Sequence, residues 1–206
     1  MTVKLPVVVL GASGHALVVA DILRLNPDYE IIGFLDGVHP ERKGELFAGA
    51  PILGGDEKLD LLFERGISHT IVGIGDCQVR LKSAEMLVRK GYTFVTAIHP
   101  SAVIASDVVI GAGTVVAAGA VINPGVTIGQ NVIINISASV DHECQVADGV
   151  HVGPGVRLGA GVRIGKGASV AIGSIVTHRM NIGDFASVET GTIVLDNVPS
   201  SVGFTS

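Results

Sequence analysis

Two stretches of this chain carry side chains able to do chemistry. One is Asp141-His142-Glu143, with a second histidine, His151, nine residues beyond His142. Imidazole exchanges a proton near neutral pH, which suits His142 to general-base work. An adjacent carboxylate, Glu143 or Asp141, can raise its basicity and orient the ring. A solvated surface histidine flanked by acids looks the same in sequence, so the value of the segment depends on where the fold puts it. The other stretch is Gly11-Ala12-Ser13-Gly14-His15-Ala16. Glycines at a strand-to-helix turn let backbone N–H groups and a helix N-terminus approach phosphate oxygens. Two more turns, Asp36-Gly37 and Gly75-Asp76, recur at the same kind of position. Ser13, Gly14, His15, Asp36 and Gly75 are therefore the candidate binding set.

The histidines must be positioned by the most regular part of the chain, residues 104–194. Every sixth residue from Ile104 to Val194 is Ile, Val or Leu, sixteen positions without an exception. Four residues after each comes a second column, starting Val108, Thr114, Ala120 and Val126, that is mostly small or β-branched. Gly often follows the aliphatic, as at Gly111, Gly129, Gly153, Gly159, Gly165 and Gly183. This short fixed period predicts a parallel β-helix in which each hexad supplies one short strand and a corner. If three hexads make a coil, each aliphatic stacks on the one 18 residues away, so Val140, Leu158 and Val176 form one ladder. At roughly 4.8 Å between strands, the array stacks to about 25 Å. A helix is excluded, because apolar residues do not recur at three and four and the glycines are poor helix formers. His142 and His151 then fall outside a filled core, and Cys144 falls in the small inward column as core.

The first third alternates between strands and helices. Residues 5–10, Leu-Pro-Val-Val-Val-Leu, read as a strand buried on both faces, followed by the glycine turn and a helix ending at Asn26-Pro27. Strands over 30–35, 69–74 and 93–97 and helices over about 56–65 and 78–90 complete a small parallel sheet flanked by helices. Ligands of such sheets lie outside the carboxyl ends of the strands, where the candidate set falls. A dinucleotide fold wants Gly-x-Gly-x-x-Gly, but Ser13 takes the middle glycine's place. A sugar nucleotide, a dinucleotide and a purely structural turn all stay open. Ile98-His99-Pro100 leads directly into the hexads with no flexible linker.

Composition sets the outer bounds. A chain of 206 residues suits two modest domains, placed at 1–97 and 98–206. A net charge of −5 leaves no basic face for nucleic acid. Cys77 and Cys144 match no disulfide or metal spacing, which suits a reduced, cytoplasmic protein. No run of eighteen apolar residues escapes glycine or charge, so no membrane span is expected, and the opening residues read as a strand and not a secretion signal. A zinc hydratase on the same β-helix would need three converging histidines, and His142, His151 and His178 lack a close pair.

The hexad array, the Gly-Ala-Ser-Gly-His turn and the Asp-His-Glu-Cys segment followed by His-Val resemble the hexapeptide-repeat acyltransferases. The similar branch contains sialic acid O-acetyltransferase-like proteins and nucleotide-linked 4-amino-sugar N-acetyltransferases of the bacillosamine and perosamine type. The resemblance covers nearly the whole chain. It implies an α/β, Rossmann-like N-terminal domain with a small parallel sheet that holds a sugar nucleotide, then a left-handed parallel β-helix assembling as a homotrimer. Acetyl-CoA is implied as co-substrate, in the groove between subunits, and an amino sugar of a surface-glycan precursor as acceptor. By matching positions, His142 is the general base and Glu143 increases its basicity. His151, Ile172 and Gly191 line the acetyl-CoA site, and Asn135 lies near the acceptor sugar. Ser13, Gly14, His15, Asp36 and Gly75 hold the nucleotide. The family's Val-Gly-x-Pro-Ala-Lys/Arg segment is met here by Val202-Gly203-Phe204-Thr205-Ser206, without the proline or the basic residue. Arg163, Lys166, His178 or Arg179 are then the expected source of charge for the CoA phosphates. A sugar O-acetyltransferase and a catalytically inactive nucleotide-binding or scaffold protein are the alternatives, and the nucleotide base is not readable.

Overall fold

The computed structural model describes residues 4–201, so the segment 202–206 compared above lies outside the described residues. The chain divides into two compact units at Ala97/Ile98. In the first, β1 (Leu5–Leu10) is the buried centre of a six-stranded sheet, and Val7, Val8 and Val9 are fully buried, as a parallel strand covered on both faces requires. Helix α1 (Gly14–Leu25) turns Ala16, Val19, Ala20 and Leu23 inward at helical spacing and stops at Asn26, before Pro27. Then follow β2 (Tyr29–Leu35), β3 (Leu46–Phe47), β4 (Ala50–Gly54), α2 (Leu59–Glu64), β5 (His69–Val72), α3 (Cys77–Arg89) and β6 (Thr93–Phe94). The order across the sheet is β3-β4-β2-β1-β5-β6. All pairs are parallel except β3 with β4. The sequence reading missed this hairpin, which turns tightly through Ala48 and Gly49 at positive φ.

The second unit is a coil of two-residue strands arranged as three parallel sheets. Face I holds Ala97–Ile98, Val115–Val116, Ile133–Ile134, His151–Val152, Ser169–Val170 and Ser187–Val188. Face II holds Val103–Ile104, Val121–Ile122, Ser139–Val140, Arg157–Leu158, Ile175–Val176 and Ile193–Val194. Face III holds Val109–Ile110, Thr127–Ile128, Gln145–Val146, Arg163–Ile164 and Asn181–Ile182. Val140, Leu158 and Val176 are direct partners in register, as the 18-residue coil requires. From Ile104 onward the second residue of each pair points inward and joins Ala120, Val126, Val132, Ala138, Cys144 and Val150 in one continuous core, whereas in the opening pair Ala97 is buried and Ile98 is exposed. Each fully buried aliphatic contributes about 1.5–3 kcal/mol, and only stacking lets so short a strand bury one. The buried inward hydroxyls of the coil are satisfied: Thr114 Oγ1 donates to Gly129 O at 2.9 Å and Ser174 Oγ to Glu189 O at 2.8 Å.

Candidate functional site

The first unit gathers its candidate residues at the carboxyl edge of the sheet. Gly11, at φ +110°, carries β1 into the turn so closely against β5 that an added Cβ would sit 3.0 Å from Gly73 O. Ser13 caps α1 with extended backbone, and its side chain makes no capping bond. Gly14 is open, with nothing within 4 Å of an added Cβ. The Gly75 Cβ position lies 4.0 Å from His15 Cβ, so the first and third turns meet there. Asp36 lies at the end of β2, buried, accepting the N–H groups of Val38 at 3.2 Å and His39 at 2.9 Å. Ser13, Gly14, His15, Asp36 and Gly75 thus share one edge.

Two arginines there were not singled out from the sequence. Arg42 donates from Nη1 to Asp36 Oδ2 at 2.8 Å and to Ala12 O at 3.1 Å. Arg80 is 1% exposed and donates from Nη1 to Ile74 O at 3.0 Å and Gly75 O at 2.6 Å, which fixes the third turn. Burial lowers the pKa of Arg80 from its ordinary value.

In the second unit, the corner between faces II and III carries His142 and Glu143. His142 Nδ1 lies 3.6 Å from Glu143 Oε2, with both side chains more than half exposed. This is ion-pair distance and longer than a hydrogen bond, a spacing that catalytic pairs can close when substrate binds. Asp141 faces the backbone instead. Its Oδ1 accepts Asn123 Nδ2 and the His142 N–H, each at 2.8 Å. Those two bonds, Asn123 first, hold the Asp141 carboxyl below the usual carboxylate range. Asp141 therefore fixes the His142 backbone, and Glu143 is the carboxylate beside the imidazole. Asn123 stands one coil away from Asp141, and only the 18-residue period could have found it.

The remaining candidates lie elsewhere on the coil. His151 begins a strand of face I, pointing outward above Ile133, and its Nε2 is 3.1 Å from Asn135 Nδ2. Asn135 opens the corner between faces I and II, and its Oδ1 accepts the Ile136 N–H at 2.8 Å. Ile172 and Gly191 occupy successive coils of that same corner, joined by a Gly191 N–H to Ile172 O bond of 2.9 Å. Ile172 is half exposed, 52%, and Gly191 leaves open space above its Cα. Asn135, His151, Ile172 and Gly191 therefore flank one corner, while His142 and Glu143 occupy the next. Of the basic residues, His178 and Arg179 stand on the His142 corner two coils on, beyond Ala160 and Gly161. Arg163 instead lines a groove of about 510 Å³ on face III with Thr127, Gln145 and Asn181. Among the described residues no group of three His, Cys, Asp or Glu side chains could hold a metal ion, and no helix is long and apolar enough to cross a membrane.

Comparison with known proteins meets this geometry at both units. The PglD N-terminal domain family matches residues 6–87. No curated protein sequence matches the chain. Among solved structures, the chain is similar to GDP-perosamine N-acetyltransferase from Caulobacter crescentus, solved as a histidine-to-alanine variant in complex with CoA and GDP-perosamine. That similarity has 36% identity and a TM-score of 0.91 over 96% of this chain and 91% of the other. It is also similar to the acetyltransferase domain of PglB from Neisseria gonorrhoeae, in complex with acetyl coenzyme A, at 29% identity and a TM-score of 0.71 over 95% of this chain and 93% of that one. With 36% identity to the Caulobacter protein across nearly the whole of both chains, and with an unbroken hexad coil, the chain belongs to the hexapeptide-repeat acyltransferases and its coil is their left-handed parallel β-helix.

Proposed function

We propose that the protein transfers an acetyl group from acetyl-CoA to the 4-amino group of a nucleotide-linked deoxy-amino sugar, a step in building a surface-glycan precursor. The observation that carries this reading is the exposed His142–Glu143 pair on a chain similar throughout to an N-acetyltransferase of GDP-perosamine. His142 accepts a proton from the acceptor amine as its nitrogen attacks the thioester carbonyl, and Glu143 raises the basicity of the imidazole. The tetrahedral intermediate collapses with loss of the CoA thiolate, and no covalent enzyme intermediate is needed. His151, Ile172 and Gly191 line the acetyl-CoA site, His178 and Arg179 supply charge to its phosphates, and Asn135 lies at the acceptor sugar. Residues 1–97 form the nucleotide-binding domain, through Ser13, Gly14, His15, Asp36 and Gly75, and residues 98–206 the acetyl-transfer domain.

The same reading includes a homotrimer. His142 and the His151–Ile172–Gly191 set sit on different corners of one coil, so a single site containing both draws them from two copies, and a cyclic assembly repeats that contact. Outward aliphatics on face II, Val103, Val121, Ile175 and Ile193, are exposed in one chain and suit burial between copies. The same reading has the protein act in the cytoplasm, which its free cysteines, Cys77 and Cys144, suit. Release of the CoA thiol tests the function against GDP-, UDP- and dTDP-linked 4-amino sugars. Saturable release with one of them is expected. Release only with hydroxyl acceptors would move the assignment to sugar O-acetylation, and silence with bound nucleotide would favour a binding protein.

A further inference from the structure

One guanidinium joins three parts of the first unit's carboxyl edge. Besides its bonds from Nη1 to Asp36 Oδ2 and Ala12 O, Arg42 donates from Nε to Glu45 Oε2 at 3.0 Å. Its guanidinium carbon lies 5.6 Å from the centre of the Phe47 ring, within cation–π range. Asp36 is 6% exposed, with Oδ1 accepting two backbone N–H groups and Oδ2 accepting Arg42. The contribution of Asp36 to a ligand therefore runs through Arg42, which it anchors.

The consequence lies in the Ala12–Ser13 peptide. No peptide among the described residues is cis, so the carbonyl and the N–H of this unit point in opposite directions. Holding Ala12 O on Arg42 turns the Ser13 N–H to the opposite side. Neither the Ser13 nor the Gly14 N–H donates to an acceptor among the described residues. A cation bound to the carbonyl also draws its negative end away from any anion at the turn. Resting on the reading of this edge as the nucleotide site, we infer that Arg42 is its positioning residue: by restraining the Ala12 carbonyl it presents the Ser13 N–H to the diphosphate of the nucleotide sugar.

Arg42→Met and Arg42→Lys in the full chain test this. The Met variant should raise KM for the nucleotide amino sugar by about tenfold, with kcat and KM for acetyl-CoA within about twofold. Lysine keeps a cation that can donate to both Asp36 and Ala12, so it should restore KM to within about threefold. In calorimetry the Met variant should lose affinity for the nucleoside diphosphate and not for the nucleoside. An unchanged KM in the Met variant, a Lys variant as impaired as Met, or equal losses for nucleoside and diphosphate would each overturn the role. Wild-type protein that binds no nucleoside diphosphate would instead remove the acceptor site itself.

Discussion

Glu143 occupies backbone that favours glycine. Along its corner the positive-φ residues run Gly125, Glu143, Gly161 and Arg179, at φ between +60° and +73°. A non-glycine residue there costs about 1–2 kcal/mol, and such strain is retained where a side chain has work to do. Glu143→Gly is expected to leave Tm unchanged or higher while lowering kcat; a lower Tm with normal kcat would contradict the assignment. Asn123 acts on the same corner through Asp141. Because the folded pKa of Asp141 is depressed, its stabilising contribution is present above the unfolded value and disappears as pH falls through the folded one. Asn123→Ala should therefore move acid unfolding, followed by circular dichroism, to higher pH, and an unmoved midpoint would discount the Asn123 bond. That His142 has a carboxylate beside its imidazole could be read from residue order. The place of Arg42 could not, since an arginine in a Pro-Glu-Arg turn shows its partners, Ala12 and Asp36, only after the chain has folded.

At the level of elements, corners of the coil and turns of the sheet use glycine for different reasons. A Cβ on Gly129 would lie 2.7 Å from the backbone nitrogen of Asp148 in the next coil, and Asp148 Oδ1 accepts the Gln130 N–H at 2.7 Å. Gly129→Ala must push two coils apart, costing about 1–3 kcal/mol, or about 2–4 °C of Tm per kcal/mol. Gly75 has open space except for His15 Cβ at 4.0 Å. Gly75→Ala should therefore keep Tm and raise KM for the nucleotide sugar; the reverse pattern in the two variants, read by calorimetry and kinetics, would show that the glycines had been assigned to the wrong roles. The hexads were legible because an unbroken period fixes the phase of every residue. Ile98 is on that phase too, and the coil indeed opens with Ala97–Ile98 on face I, one hexad before the run that begins at Ile104. The β3–β4 hairpin escaped because two-residue β3 offers no alternation to read, and its Ala48-Gly49 turn has alanine at the first positive-φ position, where Asn, Asp or Gly marks such a turn.

For the whole molecule, the period that made the coil legible also explains what it withheld. Regular hexads place His142 and the His151–Ile172–Gly191 set on separate corners, and one chain's pattern carries no signal for the meeting of corners that the proposed assembly requires. Partnership between copies makes a specific prediction. His142→Ala protein mixed and refolded with Ile172→Trp protein, each nearly inactive alone, should recover a fraction of wild-type turnover, because some sites then pair two intact corners; no recovery despite mixed oligomers would place each site within a single chain. On the proposed reading, acceptor identity is set by the first unit, in turns too short to carry a periodic signal. The central claim is acetyl transfer to a nucleotide amino sugar with His142 as base. It is tested most directly by comparing wild-type and His142→Ala turnover on the responsive nucleotide amino sugar, with the acetylated product identified by mass spectrometry. The expected result is N-acetylated product from the wild type and a loss of about 10²–10⁴ in kcat for His142→Ala, with acetyl-CoA still bound. Near-normal turnover by His142→Ala would contradict it.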